Sequence, residues 1–369
     1  MNVRCAVIGI GSMGKQYARM LGEGEIEGLT LSAVCCRSEA NAAWAKSNLP
    51  SDIAICRSED ELYKNPQSFD AVIIVTPHKC HPETAIRALK ADKHVMCDKP
   101  AGVTVKDALA INEEAARSKG IYAMMCHQRS FAQYIKIKQL LSDRAIGDIT
   151  RILMEDSGYF RTGFYHKSSD WRSSWNGEGG GALINQGYHL LDMWQYLFGL
   201  PDCVYAEIPF GKYNDFSVDD EATIIMNYPR KVTGAFIIST GEGTPVQRLE
   251  ISGTRGSILL ESGCLTLTEF DCDTREYAQT ATVTSRQSLH ESIQKFTFAE
   301  SANAYRTMLT NFANAVLCGE ELICRGEDSA KTLSIINGAY LSAWTGKKVK
   351  LPVDMDEYLT ALKKAEDNE

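Results

Sequence analysis

The chain has 369 residues, a hydrophobic content of 44% and a formal net charge of −8. This length predicts two domains, each large enough to bury its own core. The acidic balance gives no support to nucleic-acid binding, which usually needs a clustered basic surface. No window approaches the roughly 18 consecutive apolar residues of a membrane-spanning helix. The N-terminal apolar run lacks the flanks of a signal peptide, so neither nucleic acid nor membrane is predicted as a partner.

Twelve cysteines are scattered along the chain, and none forms a C-x-x-C pair. Without a secretory signal, such a distribution predicts reduced cysteines that pack as small hydrophobic residues. The sequence therefore predicts a cytoplasmic protein without a disulfide framework.

Short apolar runs alternate with helical patterns up to residue 126. Strands are predicted at Val3–Gly9, Leu29–Cys35, Ile53–Cys56, Ala71–Val75, His94–Cys97 and Ile121–Cys126. Helices are predicted at Met13–Leu21, Glu39–Ser47, Pro82–Ala91, and from a capping box at Thr104–Asp107 to about Lys119. This alternation is typical of βαβ units, and predicts an α/β domain with a doubly wound parallel sheet over residues 1–126.

The pattern changes in residues 127–369. Helices are predicted at Phe131–Leu141 and Leu183–Phe198, with a strand at Ile149–Tyr159 between them. Alternating runs follow at Val204–Pro209, Ala222–Tyr228, Lys231–Thr240, Gln247–Ser252, Ser257–Glu261 and Leu265–Phe270. Successive strands with short turns favour antiparallel pairing, and two helical segments come after them. A second, α+β domain with a large, mainly antiparallel sheet is therefore predicted.

A glycine-rich loop follows the first strand and reads Gly9-Ile-Gly11-Ser12-Met13-Gly14. In this G-x-G-x-x-G pattern the first glycine permits a tight turn, the second lets backbone approach a pyrophosphate, and the third allows close packing of helix and strand. The phosphate then lies on free N–H groups at the helix N-terminus. The loop predicts a bound dinucleotide, the alternative being a glycine-rich turn without a ligand.

The end of the second strand bears on which dinucleotide is bound. An NAD site commonly has an acidic residue there, which accepts from the ribose hydroxyls. Here Arg37 and Ser38 stand at the tip, and both suit a 2′-phosphate. NADP is therefore favoured over NAD, although Glu39 is the next residue and keeps NAD open.

Two further segments lie at carboxyl ends of predicted strands, where open parallel sheets bind ligands. Thr76-Pro77 and His81 belong to the first segment and are predicted to line the nicotinamide side of the cofactor, with a purely structural hydrogen bond as the alternative for His81. Asp98 and Lys99 belong to the second segment, and they are predicted to contact the same cofactor. The histidines have too few neighbouring ligands to predict a metal.

The chemistry is assigned to Lys99, Asn185 and His189. The ammonium of Lys99 suits the negative charge that develops on a substrate oxygen. Asn185 and His189 are four residues apart on one helix face, and an imidazole suits proton exchange with a hydroxyl while hydride leaves the same carbon. The preceding run Gly177-Glu-Gly-Gly-Gly181 is expected to let backbone pass close to a ligand.

Four motifs in order carry a resemblance to a known family: GIGSMG, TPHKCH, HVMCDKP and GGGALINQGYHLLD, with GAYLSAWTGKKVKLP near the end. On these motifs the chain resembles the glucose–fructose oxidoreductase / inositol dehydrogenase (Gfo/Idh/MocA) family over nearly its whole length. The resemblance implies a Rossmann domain, a sheet-bearing domain that shapes the substrate site and often mediates oligomerisation, and NAD(P)-dependent oxidation or reduction of sugars, inositols and related polyols.

Residue by residue, the resemblance implies that Lys99 bonds the reacting oxygen and that His189 is the acid/base. Two positions depart from the family pattern: Asp98 replaces the usual glutamate, and Asn185 stands where many members have aspartate. Because asparagine carries neither proton nor charge, it can position a sugar but cannot tune His189 as an anion would.

Additional substrate contacts are predicted at the start of the second domain, with ordinary packing or surface ion pairs as the alternative. They are Gln128, Arg129, Tyr159, Trp171 and Arg172, with Arg161 nearby. Aromatic faces suit the C–H surface of a sugar, and arginine suits hydroxyls or a carboxylate. If Arg129 and Arg172 both faced the substrate, an acidic sugar would become more attractive.

Three alternative functions stay open. One is a regulatory protein of the same fold that binds dinucleotide without turnover, although Lys99 and His189 argue against it. Another is a trans-dihydrodiol dehydrogenase or dehydratase type of activity. A metal-dependent dehydrogenase is disfavoured because no ligand set of the usual spacing is found.

Overall fold

The computed structural model describes residues 2–286, 288–299 and 303–369. The chain divides into two compact units. The first comprises Met1–Ser130, Gly177–Gly179 and Ala302–Leu333, and the second comprises Phe131–Asn176, Gly180–Ser301 and Ser334–Glu369. Among the described residues, no helix is both long and apolar enough to cross a bilayer.

The first unit is built on a six-stranded sheet in the order β3-β2-β1-β4-β5-β6. The strands are β1 (Val3–Ile8), β2 (Leu29–Cys35), β3 (Ala54–Cys56), β4 (Ala71–Ile74), β5 (His94–Cys97) and β6 (Tyr122–Met124). All five neighbouring pairs are parallel. This confirms the predicted doubly wound sheet, whose strand order reverses between β1 and β4 and opens a ligand crevice at their carboxyl ends.

The burial of the central strands explains why they could be predicted from the sequence. Every residue of β4 is buried, as expected for a strand covered on both faces. β6 is shorter than the predicted Ile121–Cys126, because the chain turns at once into a 3₁₀ helix at His127–Ser130. β6 is the last strand in the order of this sheet. An isolated β-bridge joins its residue Ala123 to Arg325.

The second unit contains a nine-stranded sheet in the order β14-β13-β12-β11-β7-β10-β9-β8-β15. Its strands are β7 (Ile149–Asp156), β8 (Cys203–Glu207), β9 (Glu221–Asn227), β10 (Thr233–Ser239), β11 (Gln247–Gly253), β12 (Gly256–Glu261), β13 (Cys264–Phe270), β14 (Glu291–Phe296) and β15 (Val349–Lys350). The pairing is antiparallel except between β7 and β10, which run parallel. The predicted large, mainly antiparallel sheet is confirmed.

Twelve α-helices are assigned in the described ranges. In chain order they are α1 (Ser12–Gly22), α2 (Glu39–Asn48), α3 (Glu59–Leu62), α4 (His81–Lys90), α5 (Val105–Ala115), α6 (Ala132–Ser142), α7 (Gly163–His166), α8 (Ala182–Phe198), α9 (Thr274–Thr280), α10 (Ala304–Cys318), α11 (Ser329–Thr345) and α12 (Met355–Asp367). The Thr104–Asp107 capping box at the start of α5 is present with both of its hydrogen bonds.

Helix α8 packs on the sheet of the second unit against β9 and β10. The indole of Trp194 rests over Gly234 of β10, where a Cβ atom would lie 2.4 Å from the ring. Trp194 also meets Phe236 edge to face at 6.3 Å. Because one face of α8 is packed on the sheet, the orientation of the helix is fixed, and so is that of the face that carries Asn185 and His189.

Candidate functional site

The glycine-rich loop has the geometry that a dinucleotide needs. Gly9 has φ +99°, and a Cβ atom there would lie 2.5 Å from the carbonyl oxygen of Val75. At Gly14 a Cβ atom would lie 1.9 Å from the carbonyl oxygen of Gly9, whereas at Gly11 it would meet nothing within 4 Å. Protein packing therefore requires the first and third glycines, and the second faces open space.

The N-terminus of α1 provides the phosphate-binding groups. The helix begins at Ser12, and its N-cap residue Gly11 makes no side-chain capping bond. Its first N–H groups therefore point out of the helix without a side-chain cap, and they attract an anion. Ser12 is exposed and Met13 half-buried.

Thr76 gives an independent test of fit for a dinucleotide. It follows β4 at the point where the strand order reverses. Its Oγ1 is buried and has no hydrogen-bond partner in the part of the chain that the structure describes. A buried hydroxyl in this position needs an external partner, so the residues fit a bound nicotinamide dinucleotide.

His81 connects two of the predicted segments. Its Nδ1 lies 2.6 Å from the carbonyl oxygen of Pro100, and its Nε2 lies 2.7 Å from that of Thr76. Burial lowers the pKa of His81, while the two carbonyls and Asp98 oppose that shift. The ring thus holds the loop after β4 to the loop after β5, and its nitrogens are both engaged.

Lys99 and Asp98 form the turn after β5. One carboxylate oxygen of Asp98 accepts from the Lys99 amide at 2.8 Å, and the other accepts from the Tyr17 hydroxyl of α1 at 3.3 Å. Burial raises the pKa of Asp98, and Lys99 and His81 counter it. Tyr17 thereby ties the glycine-loop helix to the turn that carries the half-buried Lys99.

His127 also lies within reach of the Lys99 charge. Burial and then the Lys99 ammonium lower the pKa of His127 to about 4, so its ring is neutral at pH 7. The ring packs on Tyr305 at 4.6 Å, and Tyr305 meets Tyr17 at 5.8 Å. These three aromatic rings come from distant segments of the chain, and no local sequence signal predicted that they would meet.

The tip of β2 carries a group of charges. Arg37 is exposed, and the Ser38 hydroxyl caps α2 by accepting from the Asn41 amide at 3.2 Å. Arg57, which follows β3, donates to the Arg37 carbonyl at 2.7 Å and pairs with Glu39 at 2.8 Å. The sequence reasoning missed Arg57, although its position at the end of the next parallel strand was a usable signal.

A buried carboxylate organises the start of α8 in the second unit. Asp219 accepts from the amides of Gly181 at 2.8 Å and Leu183 at 2.6 Å, and from the Tyr340 hydroxyl at 2.7 Å. A Cβ atom on Gly180 would lie 2.2 Å from the Tyr340 hydroxyl, and one on Gly181 would lie 1.9 Å from the Asp219 carbonyl oxygen. In the structure these two glycines approach protein atoms closely, which by itself requires glycine at both positions.

Removing this carboxylate is expected to destabilise the protein. In Asp219→Ala two amides and a buried hydroxyl lose their acceptor, which should lower the free energy of unfolding by about 2–4 kcal/mol. Urea unfolding measures the change. The control is Asp215→Ala at an exposed position, expected to shift it by less than about 0.5 kcal/mol. Equal stabilities of the two variants would contradict the assigned role.

The predicted catalytic helix presents two half-buried polar groups. Asn185 and His189 lie one turn apart on α8. The Asn185 amide donates to the Tyr165 hydroxyl at 3.3 Å, as does Gln186 at 3.1 Å. Asp192, three residues after His189 on the same helix, is buried and accepts from the Gln195 side chain at 3.1 Å.

The remaining predicted contacts fall in different surroundings. In the first unit Gln128 is buried, and the Arg129 guanidinium makes a buried ion pair with Asp328 at 2.8 Å. In the second unit Tyr159, Trp171 and Arg172 are half-buried. The Arg172 guanidinium lies 4.9 Å from the Trp171 ring and donates to the Tyr165 hydroxyl at 2.7 Å.

Comparison with known proteins agrees with this arrangement. Residues 3–126 match the model of the oxidoreductase family with an NAD-binding Rossmann fold. Residues 134–259 match the Gfo/Idh/MocA C-terminal domain. The chain belongs to the Gfo/Idh/MocA family. This member is an NAD-binding oxidoreductase, as the motifs predicted.

Similar proteins span most of the chain. A trans-1,2-dihydrobenzene-1,2-diol dehydrogenase from Bos taurus is 28% identical over 274 residues, which cover 73% of this chain and 77% of the relative. The WlbA dehydrogenase from Bordetella pertussis, solved with NADH and UDP-GlcNAcA, has a TM-score of 0.77 at 19% identity and covers 96% of this chain and 100% of its own. A levoglucosan dehydrogenase solved with NADH and levoglucosan also has a TM-score of 0.77 at 19% identity, covering 95% and 100%.

Proposed function

We propose that this family member transfers a hydride between a nicotinamide cofactor and a CH–OH carbon of a sugar, inositol, related polyol or keto-sugar. The proposal rests on two reactive groups, each of which lies where it can reach a ligand. One is the ammonium of Lys99 at the carboxyl end of β5, and the other is the imidazole of His189 on a half-buried face of α8. A protein that only senses cofactor has no need of either group.

The roles of the side chains follow from their chemistry. The nicotinamide, when bound, supplies or accepts the hydride. Lys99 donates a hydrogen bond to the reacting oxygen and stabilises negative charge on it. His189 takes the hydroxyl proton during oxidation and returns it during reduction. Asn185 positions a neighbouring hydroxyl, and further substrate contacts are proposed for Gln128, Tyr159, Trp171 and Arg172.

NADP is the proposed cofactor, with NAD as the alternative. The Arg37 side chain is exposed at the tip of β2, and the Ser38 O–H can donate while its oxygen caps α2. Arg57 adds a second guanidinium, whose Nε is buried without a partner among the described residues. Its pairing with Glu39 also engages the carboxylate that kept an NAD site open in the sequence analysis.

The cofactor preference can be measured by titrating the protein with NADPH and NADH. Arg37→Gln and Arg57→Gln should each weaken NADPH binding by about ten- to a hundred-fold, because each removes a charge-assisted bond to the 2′-phosphate. NADH binding should change little. Arg117→Gln, at an exposed position of the first unit, is the matched control. Tighter binding of NADH than of NADPH by the unmodified protein would refute the preference.

The reaction class can be tested by following reduced nicotinamide spectrophotometrically with a panel of sugars, inositols and polyols. Turnover of a member of this panel is expected. Binding of dinucleotide without any turnover would instead favour the regulatory protein.

A trans-dihydrodiol dehydrogenase activity is the second candidate. It is favoured by the similarity to the bovine enzyme, which extends over 73% of this chain. Including a trans-dihydrodiol in the panel separates the two candidates, since a higher kcat/KM for the diol than for any polyol would establish the second.

We also propose a cytoplasmic homo-oligomer that associates through the large sheet. Support comes from the partly exposed face of that sheet, where Ile225 of β9 is 40% exposed. Light scattering of the purified chain gives its oligomeric state.

A further inference from the structure

The side chain of Glu369 binds a segment that lies between β7 and α8. Glu369 follows α12, and one of its carboxylate oxygens accepts from the Trp175 amide at 2.7 Å and from the Ser217 hydroxyl at 3.1 Å. The other oxygen accepts from the backbone amide and the side-chain amide of Asn176, both at 3.0 Å. A carboxylate offers about four lone-pair sites, and these four bonds use them. We call this arrangement the Glu369 clasp.

Aromatic packing holds the clasp in place within the second unit. The indole of Trp175 is buried and donates to the Ser217 carbonyl at 3.1 Å. It meets Tyr340 of α11 edge to face at 5.0 Å and Trp344 at 5.1 Å. Trp344 in turn stacks on Tyr358 of α12 at 5.8 Å. Because α12 and Trp175 share these aromatic neighbours, the carboxylate after α12 is presented to the segment at a defined position.

A strained turn lies immediately before the clasped amides. The Ser174 hydroxyl donates to the Trp171 carbonyl at 3.2 Å, which closes a turn over residues 171–174. Ser173 within this turn has φ +53°, in the left-handed region that residues other than glycine rarely adopt. Its hydroxyl lies 2.6 Å from Nδ1 of His166. Such a conformation persists only where surrounding contacts hold it, and the clasp supplies contacts on the C-terminal side of the turn.

The same turn carries two of the proposed substrate contacts. Trp171 and Arg172 are both half-buried, and the Arg172 guanidinium lies 4.9 Å from the Trp171 ring. A binding surface that is already ordered loses less conformational entropy when the ligand arrives. A group that orders this turn beforehand therefore raises the affinity for substrate without contacting the substrate.

We propose that Glu369 is a positioning residue for substrate binding, whose carboxylate holds the turn of residues 171–174 in the conformation that receives the sugar. This inference rests on the proposed function, because Trp171 and Arg172 are substrate contacts only in that proposal. Glu369 acts through the amides of Trp175 and Asn176, and the chemistry stays with Lys99 and His189.

The first test is kinetic and uses the full chain saturated with cofactor. Glu369→Gln replaces one acceptor oxygen by an N–H donor that faces other donors. The KM of the best substrate of the panel should rise by about three- to ten-fold. The kcat and the cofactor dissociation constant should change little, which is the pattern for lost binding that is equal in ground and transition states.

Two further variants serve as comparisons in this test. Glu369→Asp keeps both carboxylate oxygens and should restore part of the affinity. Asp367→Asn removes a carboxylate that pairs with Lys363 at an exposed position of α12, and its KM should equal that of the unmodified chain. Glu369→Ala provides a second loss of the clasp should Glu369→Gln fail to fold.

A second readout follows the turn without any substrate. The chain has five tryptophans, so fluorotryptophan labelling gives few fluorine NMR signals, and Trp171→Phe identifies that of Trp171. This signal should shift or broaden in Glu369→Gln, because the turn then samples more than one conformation. It should stay in place in Asp367→Asn. The melting temperature should change little, since Glu369 is exposed and water replaces part of its bonding.

Two outcomes would overturn the inference. One is a Trp171 signal that is unchanged in Glu369→Gln. The other is a lowered melting temperature with an unchanged substrate KM, since the clasp would then only stabilise the fold. A responding Trp171 signal in a chain that turns over no member of the panel would support the clasp and contradict the proposed function, so the two failures are distinguishable.

Discussion

Lys99→Met should lower kcat by roughly 10²–10³-fold. Methionine keeps the length and apolar stem of the side chain but removes the ammonium that is proposed to stabilise charge on the reacting oxygen. Because the Asp98 carboxylate is held by the Lys99 backbone amide and by Tyr17, the turn keeps both bonds in this variant. The dissociation constant of the dinucleotide should therefore change much less than kcat.

Steady-state kinetics and cofactor titration give the two quantities. Lys106→Met on the exposed face of α5 is the matched control. A second readout is the pKa of His127, measured by NMR titration. It should rise from about 4 on loss of the Lys99 charge, yet stay below the ordinary value because burial is its larger cause. An unchanged kcat would refute the role of Lys99.

The parts of the fold that were predictable are those with local signals. Each strand of the first sheet is a short apolar run next to a helical pattern, and the chain order of strands and helices follows from that alternation. The Thr104–Asp107 capping box is likewise a contact across three residues, and it forms as predicted. The positions of Gly9–Gly14, Thr76 and Lys99 at carboxyl ends of strands followed from the same reasoning.

The parts that were missed depend on long-range contacts. β14 is an exposed edge strand with little apolar pattern, and β15 has two residues, so neither gives a usable periodicity. The parallel pairing of β7 with β10 joins segments about 80 residues apart in the chain. Gly180 and Gly181 are required by Tyr340 and Asp219, and such partners cannot be deduced from a glycine run alone.

The same distinction applies to the site. Asn185 and His189 were predictable because helical spacing places them on one face. Arg57, Tyr17 and Tyr165 were not singled out, since each acts on a residue far away in sequence: Arg57 on Glu39, Tyr17 on Asp98 and Tyr165 on Asn185. Residues that hold a site together are thus harder to predict than those that carry its chemistry.

His189→Ala should lower kcat/KM by about 10²–10⁴-fold, the range for a positioned acid or base. The helix itself should persist, because alanine favours helix and Asp219 still accepts from the amides of Gly181 and Leu183 at its start. The unfolding midpoint should accordingly change little. His290→Ala, at an exposed histidine of the second unit, is the control for loss of an imidazole.

The pH profile identifies the proton-transfer role more sharply than the rate alone. The rate of oxidation by the unmodified protein should increase with pH as the base loses its proton. This rising limb of the pH–rate profile should disappear in His189→Ala. Asn185→Asp then places a carboxylate one turn from His189, where a negative charge favours the imidazolium and raises its pKa. The limb should move to higher pH in that variant. If the limb persists in His189→Ala, or stays in place in Asn185→Asp while activity is retained, His189 is not the group that exchanges the proton.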